Sequence, residues 1–121
     1  MTRYAVLLPG DEEYWENLPV EGREAVYALH DTFSKALEER GHKVVGGAEL
    51  THSSTARIVR GAADRLVVTA GPYAETVEQL TGFYLIDSDD LDDLVEVTKI
   101  LADPAHGGIE VRACTGDGSG S

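Results

Sequence analysis

Four histidines, one cysteine and a short polar run after a Gly-Pro pair are the side chains best suited to chemistry in this sequence. His30 falls on the flank of a helical apolar stripe, one turn after Val26 and on the same helix that Gly41 ends. An imidazole there can serve as a general base, because its ordinary pKa of about 6.5 lets it exchange protons near neutrality. It can equally be a partly buried flank residue. His106 lies between Pro104 and Gly107-Gly108, in a loop from which it can reach a cleft or stand in solvent. Tyr73, Glu75 and Gln79, with Thr76 and Glu78 among them, follow Gly71-Pro72. Gly tolerates positive φ and Pro fixes its own, so the run leaves the turn in a set direction. It can offer a ring, a carboxylate and an amide to a ligand, or spend those groups capping the turn.

Other chemistries are argued against by spacing and composition. His42 and His52 carry no spacing signal, and no HxxxH, HxH or CxxC pairing occurs, so no metal site is expected. Cys114 has no base beside it and no partner for an internal disulfide; it reads as a small packing residue in a reducing, cytoplasmic setting. Gly46-Gly47 and Gly107-Gly108 lack the Gly-x-Gly-x-x-Gly spacing that cradles a pyrophosphate, and no cofactor is expected. With 22 Asp and Glu against 10 Lys and Arg, the net charge of −12 repels phosphate backbones, which argues against nucleic acid. No apolar run approaches the roughly 20 residues of a membrane span, and the N-terminal residues do not read as a signal peptide.

These residues must be positioned by elements that the chain writes as alternating periods. Residues 3–8 read as a strand that Pro9-Gly10 should end, and residues 11–18 as an acidic, aromatic connector in which Trp15 is the best candidate for burial. Val26, Leu29, Phe33, Ala36 and Leu37 recur at three- and four-residue intervals, predicting a helix over 22–40 with Gly41 just past its end. Residues 43–50 form the next strand, bent at Gly46-Gly47, and residues 56–60 and 66–69 an inserted hairpin around Gly61-Ala62-Ala63-Asp64. A strand over 83–86, a second helix that Asp87-Ser88 opens and that runs through Leu101 with an Asp cluster in its first turns, and a strand over 109–113 complete the order. Residues 115–121 hold no large apolar side chain and read as a disordered tail, leaving one domain over 1–114.

Without the hairpin, the order is the split βαβ of an α+β ferredoxin-like domain, an antiparallel sheet with two helices on one face. The opposite face then needs a cover. A second copy of the chain would supply it, enclosing a dimeric α+β barrel, so a homodimer is expected.

Gly71-Pro72-Tyr73-Ala74-Glu75-Thr76 with Glu78-Gln79-Leu80 and Gly82-Phe83-Tyr84-Leu85-Ile86 resembles the signature of the YCII-related proteins, in the branch named for an Asp-Gly-Pro-Phe motif. Gly10-Asp11-Glu12 with Trp15, residues 89–94, and Ile109-Glu110-Val111-Arg112 extend the match over most of the chain. Ala70 stands where that motif has its Asp, and Tyr73 where it has Phe. The resemblance implies a dimeric ferredoxin-like fold, in which a small-molecule pocket lined by residues 71–79, His30 and residues 103–106 is expected. It also implies a catalytic pair, since a His on this helix has been proposed in the family to act with an Asp, and Asp103-Pro104 resembles that second element. On this reading Asp103 orients His30; the alternative makes Asp103 a helix stop. The family's genes commonly lie beside those of alternative sigma factors, which keeps a non-catalytic binding or regulatory module, acting with a partner protein, open beside the enzyme.

Overall fold

The computed structural model describes residues 1–116. The tail expected at 115–121 therefore lies mostly outside the described residues. The elements are β1 (Thr2–Asp11), α1 (Glu12–Asn17), α2 (Val20–Glu39), β2 (Lys43–Glu49), β3 (Arg57–Arg60), β4 (Val67–Ala70), β5 (Glu78–Ser88), α3 (Leu91–Thr98) and β6 (Glu110–Ala113). Short 3-10 turns at Ser53–Thr55 and Lys99–Leu101 complete them. The main sheet runs β2-β5-β1-β6, antiparallel throughout, while β3 and β4 pair with each other in a separate ribbon. This is the ferredoxin-like α+β arrangement with an inserted hairpin.

Period-2 burial along the two central strands sets the core. Tyr4, Val6 and Leu8 of β1 and Ile86 of β5 face the helices and are buried with Phe33 and Leu37 of α2 and Leu94, Val97 and Leu101. Fully burying one such side chain is worth roughly 1.5–3 kcal/mol, so this layer fixes α2 and α3 against the same face. Gly82, Tyr84 and Ser88 share that face with Ile86, because alternate residues of a strand point the same way.

Three boundaries depart from the sequence expectation by three residues or more, each for a local reason. β1 does not stop at Pro9-Gly10 but continues to Asp11, through a register shift between Leu8 and Pro9 that accommodates a residue without an N–H. β5 begins at Glu78 rather than at Phe83, because Leu80, Gln79 and Glu78 find partners on this extended end of β1. The second helix starts later than the Asp87-Ser88 pair, with Asp90 as N-cap taking the Asp93 N–H, while Asp87 and Ser88 remain in β5. The bend expected at Gly46-Gly47 is present as a register shift between Val44 and Gly46.

Candidate functional site

A cavity of about 530 Å³ opens between α1, the first half of α2, the C-terminal end of β2 and the middle of β5. Trp15 and Tyr27 form one wall, their rings edge to face at 5.5 Å, and Gly82 and Tyr84 contribute from β5. Such a concave, largely apolar space with a few polar groups is the usual form of a small-molecule site. Trp15, expected to be buried, is half-buried because it lines this space.

Two of the sequence candidates meet in the cavity wall. His30 comes from α2, three residues ahead of the core anchor Phe33. His106 is brought in by the loop after Leu101, which docks on the end of β1: Gly107 N–H donates to the Pro9 carbonyl at 2.8 Å. That approach needs Gly10, since a Cβ there would come within 2.6 Å of the Ala105 carbonyl oxygen. The result is His30 Nε2 at 3.0 Å from His106 Nε2.

Tyr84 completes the group. Its hydroxyl lies 2.6 Å from His30 Nδ1, with the rings stacked at 5.8 Å. Tyr84 is not among the sequence candidates, although the strand alternation carries a signal for it. The alternation that buries Ile86 puts Tyr84 on the same face beneath α2, where a phenol needs a polar partner.

Two hydrogen arrangements satisfy both contacts when the rings are neutral. In one, Tyr84 O–H donates to His30 Nδ1 and His30 Nε2–H donates to His106 Nε2; in the other, each donor and acceptor is reversed. Either way His106 Nδ1 is buried without a partner. An unpaired buried polar atom costs about 1–3 kcal/mol, and such exceptions concentrate at functional sites.

Burial holds both histidines below their ordinary pKa. For His30 desolvation dominates and the neighbouring His106 adds to it, while Glu49 and Asp31 oppose. For His106 desolvation is opposed by the charge of Asp103. Burial, with a lesser push from Asp31, raises the Tyr84 phenol above its ordinary value. All three groups are thus biased to the neutral form at pH 7.

The fold does not bring Asp103 onto His30. Both ring nitrogens of His30 are taken by Tyr84 and His106, and Asp103 Oδ1 accepts the Ala105 N–H at 2.9 Å. Asp103 shapes the loop that carries His106 and acts on that ring through its charge. The loop after Gly71-Pro72 also stays apart from the cavity. Tyr73 is exposed with the Arg60 guanidinium 4.9 Å from its ring centre, Glu75 is exposed, and the Gln79 amide donates to the Ala74 and Thr76 carbonyls. These groups stand by the hairpin because β5 already runs from Glu78. Among the described residues, no three His, Cys, Asp or Glu side chains converge as a metal-binding group.

A second histidine cluster lies at the other end of the sheet. His42 Nε2 donates to Asp93 Oδ2 at 2.7 Å, its Nδ1 lies 2.8 Å from Ser88 Oγ, and Arg40 pairs with Asp93. The residue types are those of a Ser-His-Asp triad, but the access is not. Ser88 is 1% exposed, its Oγ also engages both backbone groups of Asp90, and neither it nor His42 borders a cavity. No nucleophile here can reach a substrate.

The fold and cavity together define a small ferredoxin-like α+β protein with a pocket between its helices and its sheet. The YCII-related domain family model matches residues 2–115. A protein of Rhizobium meliloti (strain 1021), described as uncharacterized, is 37% identical over 111 residues, covering 90% of this chain and 89% of its own length. The chain belongs to the YCII-related family. Among the described residues no helix is long and apolar enough to cross a membrane.

Proposed function

We propose that this protein binds a small organic molecule in the cavity beside Trp15 and Tyr84 and moves a proton on it. The observation that carries this is the chain of Tyr84, His30 and His106, linked at 2.6 and 3.0 Å in the cavity wall. The transfer balances as follows. Tyr84 oxygen takes a proton from the ligand as its own passes to His30 Nδ1, and the His30 Nε2 proton passes to His106 Nε2. Tyr84 and His30 end neutral, the ligand ends one proton poorer, and His106 ends as an imidazolium favoured by Asp103.

A non-catalytic binding module, acting with a partner protein, is the second reading. It is favoured by the internal engagement of both His30 nitrogens and by Ala70 at the position of the family's Asp. One experiment separates them. Metabolites that change Trp15 fluorescence are incubated with the protein in D2O, and ligand C–H exchange is followed by NMR. Proton transfer predicts exchange with wild type and its loss in Tyr84→Phe with binding retained. Ligands that bind but never exchange would establish the module instead.

The same reading makes the protein a homodimer. Leu7, Phe83 and Leu85 lie on the sheet face away from the helices and are only half-buried, and Val59 and Val68 of the hairpin are each 63% exposed. A two-stranded ribbon is marginal by itself and gains from a cover. Sedimentation at micromolar concentration should give a dimer; a stable monomer would remove the barrel.

A further inference from the structure

The cavity has a pronounced charge asymmetry. Asp11, Glu12, Glu16 and Glu49 border it, three histidines join them, and no Lys or Arg does. Two of the carboxylates are spent on the fold. Asp11 Oδ1 takes the Glu13 and Tyr14 N–H groups as N-cap of α1, and Glu12 takes both the N–H and hydroxyl of Ser53.

Glu16 and Glu49 are not spent in that way. Glu49 receives one hydroxyl, from Tyr27, at 3.1 and 3.3 Å to its two oxygens, although a carboxylate can accept about four hydrogen bonds. Glu16 Oε1 faces the His52 imidazole at 3.2 Å. Among the described residues neither side chain forms an ion pair with Lys or Arg. The Arg23 guanidinium is engaged with the Trp15 and Glu16 backbone carbonyls and the Trp15 ring.

We infer that the ligand of this cavity is a small organic cation, an alkylammonium with an apolar body. An anionic ligand would enter against four carboxylates with no Lys or Arg to receive it, in a space whose apolar walls strengthen the repulsion. A cation meets the under-coordinated Glu49 and the faces of aromatic rings, which attract positive charge, while its apolar body covers Leu8, Val26 and Ala48. This rests on the pocket reading above and is independent of whether a proton then moves.

The test uses two molecules of nearly the same shape, choline and its neutral carbon analogue 3,3-dimethylbutan-1-ol. Trp15 is the sole tryptophan of the sequence and lines the cavity, so its emission reports binding at this place. Titrations are made in 0.15 M salt to screen the general field of a chain of net charge −12. Choline is expected to bind about tenfold more tightly than the alcohol. Glu49→Gln should remove most of that preference, and Asp92→Asn, which removes an exposed charge on α3, should leave it intact. Equal binding of the two molecules, no response to choline, or an equal loss in Asp92→Asn overturns the cation assignment. If other metabolites still change Trp15 emission, the pocket itself survives that result. If none does, the pocket reading falls with it.

Discussion

The two histidine clusters use similar residues to opposite ends. Around His42 every polar group has a partner: Ser88 on one ring nitrogen, Asp93 on the other, Arg40 behind Asp93, and a buried imidazole with 6% exposure sealing the joint of α2, β5 and α3. Around His30 the bonds are as short, but the chain ends on an orphaned nitrogen and sits on a cavity. Saturation and access separate the two, not residue type. A complete set of hydrogen bonds specifies structure, while an incomplete set beside a void leaves capacity for a ligand.

The largest expected effect of breaking this contrast is at the sealed cluster. His42→Ala removes the shared partner of Ser88 and Asp93 inside the fold, and should cost about 2–4 kcal/mol, roughly 10 °C in Tm. Binding at the cavity, read by Trp15 emission below the melting range, should persist. Loss of binding with stability unchanged would reverse the assignments of the two clusters.

The next effect is on acid stability. Arg40 and then His42, through hydrogen bonds to the carboxylate, hold Asp93 down to about 2. An unfolded Asp titrates near 3.8, so the stabilisation is complete above that value and is lost as pH falls toward 2. Urea midpoints for wild type should fall over that window more steeply than those of Asp93→Asn. Parallel curves would show that Asp93 does not carry the acid response.

The open cluster also loses stability as pH falls, but in a higher window and through burial rather than pairing. His30 and His106 bind protons less readily folded than unfolded, where a His titrates near 6.5. As pH falls through 6.5 the unfolded chain takes up protons that the folded one refuses, so stability declines until the folded pKa values are passed. NMR titration should place both rings below 6.5. In Asp103→Asn, His106 should move down and His30 stay nearly fixed; the reverse response would restore the pairing of His30 with Asp103.

The smallest stability change belongs to Tyr84→Phe. One hydrogen bond is removed and the ring kept, for about 1 kcal/mol. Its importance is functional: ligand proton exchange should vanish while the melting curve hardly moves. A large destabilisation would make Tyr84 a structural residue like Ser88.

What local sequence could determine, it did. The three- and four-residue spacing from Val26 to Leu37 wrote α2, the turn chemistry around residues 61–64 wrote the hairpin, and the order of elements gave the ferredoxin-like topology. Each of these depends on neighbours along the chain. Likewise, His30 and His106 stood out because their residue type and flanking elements are local facts. Tertiary structure alone decided their partners. Tyr84 reaches His30 across 54 positions, His106 reaches His30 across 76, and Asp103 fails to reach it because its carboxylate meets the Ala105 N–H two residues away first. A side chain's hydrogen bond goes to whichever group packing brings within about 3 Å, and that distance is set by helix and strand registers far apart in sequence.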